Sequence, residues 1–216
     1  MTVSVGPLLD SVSVTLLDTG RRTWPLHSDL IPWLNEALAA TAALKPDMYP
    51  RQEFMPVDVG ITQFIPADGV ALLEVQFNET SGRVVRQVDK DLLDEANRFW
   101  PAATREVDVR EYAADPRDPR RFAVTPPNDG TGSIQVLYGA VPEAATGSSG
   151  EDLPISPSFG PILQNYVLGK AYAKNTKRQD LTKSAAYMNQ WASLVGMKSK
   201  GQIAVAPRVA VSEGNT

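Results

Sequence analysis

The densest group of side chains that could do chemistry is Asp89, Asp91, Asp94 and Glu95. Closely spaced carboxylates can hold a divalent cation or divide acid and base roles, which leaves a metal-dependent hydrolase as one reading. Calcium loops place a glycine among alternating ligands, and this string has none. At the start of a helix the same residues would oppose the positive end of its dipole instead. His27 stands beside Ser28 and Asp29, but three adjacent residues in one turn cannot form a relay in which each side chain aims at the next from a separate element. His27 is therefore expected on the surface or at a cap. Gly196 and Gly201 have phosphate-loop spacing, yet Gln202 stands where lysine is required and the segment follows a helix rather than a strand. Asp129-Gly130-Thr131-Gly132 reads as a hairpin turn.

The most distinctive string is Asp115-Pro116-Arg117-Asp118-Pro119-Arg120-Arg121. Two Asp-Pro steps impose extended or turn geometry and predict a rigid loop between strands. Arg117, Arg120 and Arg121, with Asp118 among them, could instead clamp carboxylates on a neighbouring molecule.

Composition narrows the chemistry further. The chain has 216 residues, 43% apolar and 21% charged, with no cysteine and one histidine. A chain of this length buries roughly 70% of its unfolded surface and folds without disulfides or metals. Thiol catalysis, iron–sulfur clusters and cysteine-ligated zinc are excluded, as is any site needing two imidazoles from one chain. No cofactor fingerprint is present, and no cofactor is expected. A net charge of −4 gives no electrostatic case for binding nucleic acid as a monomer. The first basic residue is Arg21 and no apolar run exceeds four, so neither a signal peptide nor a membrane span is expected. The chain is expected to be made in the cytoplasm and to stay soluble or assemble there.

The elements that must position these groups divide into helix-patterned ends and a strand-patterned middle. Val5, Leu9, Val12 and Leu16 recur at helical spacing, with Gly20 as C-terminal cap. A second helix carries Leu30, Leu34, Ala37, Leu38 and Thr41 on one face, with Asp29 as cap, Pro32 in the first turn and an end before Pro46. Short runs at Val70–Val75, Arg83–Val88, Val109–Ala113, Phe122–Thr125 and Ile134–Val141 predict antiparallel strands, interrupted by a helix over Asp91–Phe99. Gly147-Ser148-Ser149-Gly150 reads as a flexible linker. Two more helices follow. One is capped by Ser158 with Ile162, Tyr166, Gly169 and Ala173 on a stripe. The other is capped by Asp180, carries Leu181, Ala185, Met188, Trp191, Ala192 and Val195, and ends at Gly196. Trp24, Trp33, Trp100 and Trp191 lie in or beside helix patterns and are expected in cores. Residues 198–216 lack a helical period and are expected to be extended.

Charge is uneven along this order. Residues 153–216 hold eight basic and two acidic side chains, a net of +6; residues 1–152 hold thirteen and twenty-three, a net of −10. Such a split suits either two solvated surfaces or subunits that meet acidic face to basic face.

Several strings together resemble the phage adaptor proteins, head-to-tail connectors of short-tailed phages similar to the tail tubular protein A class. They are Arg21-Arg22-Thr23-Trp24-Pro25, Leu30-Ile31-Pro32-Trp33-Leu34-Asn35-Glu36-Ala37, Leu44-Lys45-Pro46-Asp47, Val88 to Asp94, Tyr112 to Arg120, Phe122 to Pro127, Tyr166 to Lys174 and Ala186 to Trp191. The resemblance covers residues 5 to 200. It implies an α+β fold: a helical bundle of N- and C-terminal helices (1–50 and 153–197) with an inserted antiparallel β-rich region (51–152); residues 198–216 carry no part of the resemblance and are read from their own pattern as an extended C-terminal arm. It implies no enzymatic activity. It implies a dodecameric ring beneath the portal protein, located in the virion neck, which receives tail nozzle or fibre proteins. Double-stranded DNA would pass through the ring without specific binding, and no membrane is involved. Another tail ring component, a head-completion or tail-terminator protein, is the alternative. The interface residues expected on this reading are Arg117, Asp118, Arg120 and Arg121 in the loop, and Lys198, Lys200, Ile203, Val205, Arg208 and Val209 in the arm.

Overall fold

The computed structural model describes residues 2–205, with backbone alone for 96 and 197–205. In chain order the elements are β1 (Val3–Ser4), α1 (Val5–Thr15), one π-turn (Leu26–Leu30) running into α2 (Ile31–Leu44), β2 (Pro50–Pro56), β3 (Gly60–Phe64), β4 (Gly69–Asn78), β5 (Arg86–Gln87), α3 (Lys90–Ala96), β6 (Glu111–Ala114), β7 (Arg121–Asn128), β8 (Ser133–Ala140), β9 (Asp152–Leu153), α4 (Gly160–Ala173) and α5 (Leu181–Val205). The fold is α+β.

Helices from both ends of the chain share one core. α2 buries Leu34, Ala37, Leu38 and Thr41 on the face its period predicts, and Leu30 joins them from the π-turn. α4 packs against α1, α2 and α5. It therefore buries most of its circumference, including Leu163, Val167 and Leu168, whereas a single stripe was expected; Ala173 is exposed. On α5 the buried side is displaced from the expected one. Ser184 and Val195 are buried and Tyr187, Met188 and Trp191 half-buried, while Leu181, Ala185 and Ala192 face out. Gly169 sets that register: a Cβ there would lie 2.7 Å from Met188 Sδ, so the two helices meet where α4 has no side chain.

Caps differ from expectation where tertiary contacts take the capping group elsewhere. α1 ends in a reversal in which Asp18 N–H donates to Ser13 O (2.9 Å) and Leu17 N–H to Val14 O (3.0 Å). The left-handed residue is Leu17 (φ 54°) rather than Gly20, because burial of Leu16 fixes where the helix must stop. Asp29 does not cap α2; it lies inside the π-turn with its carboxylate 2.5 Å from Lys174 Nζ. Ser156, not Ser158, caps the 3-10 turn leading into α4, accepting from Ser158 N–H. Asp180 caps α5 as expected, accepting from Lys183 N–H at 3.0 Å. α5 then continues through Gly196 to Val205, so Lys198–Val205 is helical rather than extended. Straight-chain residues between Gly196 and Gly201 let the tertiary-anchored helix run past both glycines. The rest of the expected arm, 206–216, lies outside the described residues.

The middle folds into two sheets, ordered β2-β8-β4 and β3-β7-β6-β5. All pairs are antiparallel except β5 with β6, which is parallel, a departure from the expected wholly antiparallel region. Val75, Ile134, Val136 and Tyr138 of the first sheet and Tyr112, Phe122 and Val124 of the second form a single core. All five expected strand regions carry strands; β2 and β3 were not expected, since prolines bound β2 and its apolar alternation is weak. An edge strand tolerates those prolines. The Gly147–Gly150 segment is an ordered turn rather than a free linker. Gly147 (φ 81°) and Gly150 (φ 77°) bend it so that the Glu151 carboxylate accepts from the N–H groups of Thr146, Gly147 and Ser148. β1 pairs with β9, joining the chain's start to the segment ahead of α4.

Candidate assembly surfaces

The charge split along the sequence is partly consumed by folding. Lys170 Nζ lies 2.8 Å from Glu36, Lys174 pairs with Asp29, and Arg178 donates to the carbonyls of Leu16 (3.1 Å) and Leu17 (3.2 Å) at the end of α1. Burial would raise the Asp18 carboxyl, but N–H donors from Trp24, Thr23 and Arg22, with Arg178 nearby, hold it below its ordinary value. The Lys170 hydrogen bond, helped by the Tyr166 hydroxyl, lowers Glu36 despite its partial burial; burial and Glu36 together push Tyr166 up to about 12. Sorted by core, residues 1–49 and 145–196 carry eight basic and eight acidic side chains and are neutral. Residues 50–144 carry ten and sixteen, a net of −6, and residues 197–216 three and one, a net of +2. Of the net −10 of residues 1–152, −4 thus lies in the helical layer with the basic residues of α4 and α5, and −6 lies in the β-rich part.

The Asp-Pro-Arg string is a self-bonded loop between β6 and β7. Arg121 forks onto Asp115, with Nε at 2.8 Å, and Asp115 also accepts from Arg117 N–H at 2.9 Å. The Arg121 bond, then the Arg117 N–H, keep Asp115 below the usual carboxylate range. Asp118 accepts from Arg120 N–H at 3.0 Å, and Arg120 Nη2 lies 3.3 Å from Ala67 O. Arg120 and Arg121 are thereby occupied within the chain, while Arg117 is exposed. Lys198, Lys200, Ile203 and Val205 are on α5; Arg208 and Val209 fall outside the described residues.

Two open clefts flank the segment that crosses the outer face of the β3-β7-β6-β5 sheet. One, of about 860 Å³, brings the Asp89, Asp91 and Asp94 string against Asp115, Arg117 and Arg121. The other, of about 750 Å³, is lined by Arg83, Val84, Arg86, Glu106, Arg110 and Glu111 among others. Trp100 lines both clefts, is 4% exposed and belongs to neither core. Its Nε1–H donates to Asp94 at 2.8 Å, and Asp94 pairs with Lys90. The Lys90 bond, then Trp100, hold Asp94 below its ordinary value, and the same pairing raises Lys90. The segment 88–104 is thus held to the sheet by the Val88 N–H, which donates to Tyr112 O at 2.9 Å, and by burial of the Trp100 indole. The expected helix over Asp91–Phe99 is shorter: it stops at Ala96, Asn97 turns the chain by accepting from Phe99 N–H, and Phe99 is 79% exposed.

Within the acidic string Asp89 accepts from Asp91 N–H at the start of α3. Among the described residues no group of three His, Cys, Asp or Glu side chains is arranged to hold a metal ion. His27 is exposed in the π-turn. Asp129–Gly132 is a turn, with Gly130 at φ 91°, but it joins β7 of one sheet to β8 of the other instead of closing the expected hairpin, because the two strands pair with different neighbours. The sequence pointed to Arg117 and Arg121 at the first cleft, but not to Arg83, Val84 and Arg86 at the second. Those residues read simply as a strand, and only the parallel β5–β6 pairing sets Arg86 opposite Glu111.

No helix among the described residues is long and apolar enough to cross a membrane. No curated protein matches the chain. A family model described as SU10 adaptor protein matches residues 3–211. That match takes in the helical core, both sheets and the segment between the clefts, and the family is one of structural phage proteins, not a known enzyme family: the chain belongs to the SU10 adaptor family.

Proposed function

We propose that this chain is the head-to-tail adaptor of a phage, assembled as a ring beneath the portal protein in the virion neck. Twelve copies extend the DNA channel and receive the tail nozzle or fibre proteins. The family match over residues 3–211 is the observation that carries this reading. The acidic excess of the β-rich part, −6 over residues 50–144, suits a neck through which DNA passes without being held. The helical core (1–50 and 153–197) and the β-rich insertion (51–152) act as two domains. Residues 198–216, with Lys198, Lys200 and Arg208 among small apolar residues, act as an arm that reaches the portal or a neighbouring copy.

Imaging of the chain bound to its portal protein tests the reading. Twelve copies in one ring on the portal are expected. A ring elsewhere in the tail would make the chain a head-completion or tail-terminator protein instead. Deleting residues 198–216 is expected to leave a folded protein that no longer docks, and normal docking by the shortened chain would remove the arm from the proposal.

A further inference from the structure

The second cleft holds an unusual combination for an outer sheet face. Val84 is 67% exposed, and Arg83 and Arg86, also exposed, flank it along the chain. Arg110 in the same cleft is held by both oxygens of Glu106, at 2.9 and 2.6 Å, but Arg83 and Arg86 form no ion pair among the described residues. A large apolar residue between two uncommitted guanidinium groups is the makeup of a contact centre with a polar rim. The first cleft, which shares Trp100 with the second, presents the converse at Asp91. Leu92 is 62% exposed, preceded by Asp91, which is exposed and forms no ion pair among the described residues.

We propose that these two features are the two halves of one contact between copies of this chain: Asp91 and Leu92 of one copy seat against Arg83, Val84 and Arg86 of the next. The occupant follows from complementarity. Each half carries one exposed aliphatic side chain beside charge that no ion pair among the described residues neutralises, and that charge is of opposite sign in the two halves. The two halves are made of different residues of the chain, so the contact uses different surfaces on the two partners. Contacts of that kind run head to tail and generate rings when the rotation closes. Trp100 and its bond to Asp94 fix the spacing between the halves. The inference rests on the adaptor reading, which supplies the several copies.

Charge reversal tests it on the full chain bound to its portal. Arg86→Asp and Asp91→Arg, each on an exposed residue, are each expected to raise the concentration needed for assembly about tenfold or more. The double variant R86D/D91R restores opposite signs across the contact and is expected to recover most of that loss. Thermal melting of each variant shows whether folding is intact. A second measurement uses the absence of native cysteine. Val84→Cys and Leu92→Cys variants, mixed and assembled, are expected to form a disulfide between copies, whereas Phe64→Cys, exposed on β3, is expected not to link to either. Normal assembly without a Val84–Leu92 cross-link, or single reversals that the double does not rescue, overturns the contact and leaves the adaptor reading standing. Failure of the unaltered chain to bind any portal overturns both.

Discussion

Asp18 shows how one side chain can organise a fold without any chemistry to perform. Its carboxylate gathers the N–H groups of Arg22 (3.2 Å), Thr23 (2.8 Å) and Trp24 (3.1 Å), which closes the turn after α1 and delivers Trp24 into the core. There the indole N–H donates to Ala171 O of α4 at 3.0 Å, and Arg178 lies over the ring at 5.7 Å. Asp18→Ala strands three donors and is expected to cost roughly 1–3 kcal/mol in urea unfolding. Because the folded carboxyl titrates below its ordinary value of 3.8, its stabilisation is complete above that pH and is lost as pH falls through the lowered folded value. The deficit of Asp18→Ala should therefore shrink on acidification below about pH 4. Residue type and spacing do not single out Asp18 in the sequence, since the partners of a turn acceptor are set by backbone dihedrals.

Between elements, position along the period was legible and contact was not. The face of α2 follows from its spacing because that helix has one buried side. α4 and α5 depart from their expected stripes because α4 is surrounded and Gly169 lets Met188 of α5 approach its backbone closely. The join between the two cores depends on another glycine. A Cβ on Gly139 of β8 would lie 2.2 Å from the carbonyl oxygen of Pro46, so the turn after α2 rests directly on the sheet. Gly139→Ala is expected to destabilise by roughly 2–3 kcal/mol in chemical denaturation, since backbone on both sides must move. Gly6→Ala in α1, where an added Cβ meets nothing within 4 Å, is the matched control and should be neutral or stabilising by up to ~1 kcal/mol.

Across the whole molecule, the helical core is built from residues far apart in sequence, while the β-rich core is contiguous. Residues 50–144 supply both sheets and all twelve members of the second core cluster, Val57 to Ala140. Expressed alone, this fragment is expected to give a dispersed amide spectrum and a cooperative melt. Residues 1–49 alone lack α4 and should not fold. A fragment 50–144 without cooperative unfolding would show that Pro46–Gly139 packing and Tyr49, which touches both cores, are required for the sheets.

The sequence by itself determined the order helix–sheet–helix, the inward face of α2, the absence of thiol chemistry and the family. All of these follow from residue type and local period, which hold whatever the chain later packs against. Only the tertiary structure decided where charge resides. Glu36 finds Lys170, and Asp29 finds Lys174, across more than a hundred residues, so the −10 and +6 halves are redistributed into a neutral helical layer, a β-rich part of −6 and a C-terminal segment of +2. It also decided that Arg121 is spent on Asp115 while Arg83 and Arg86 stay open to a partner. Ion pairing depends on distance in space, and sequence separation does not determine that distance.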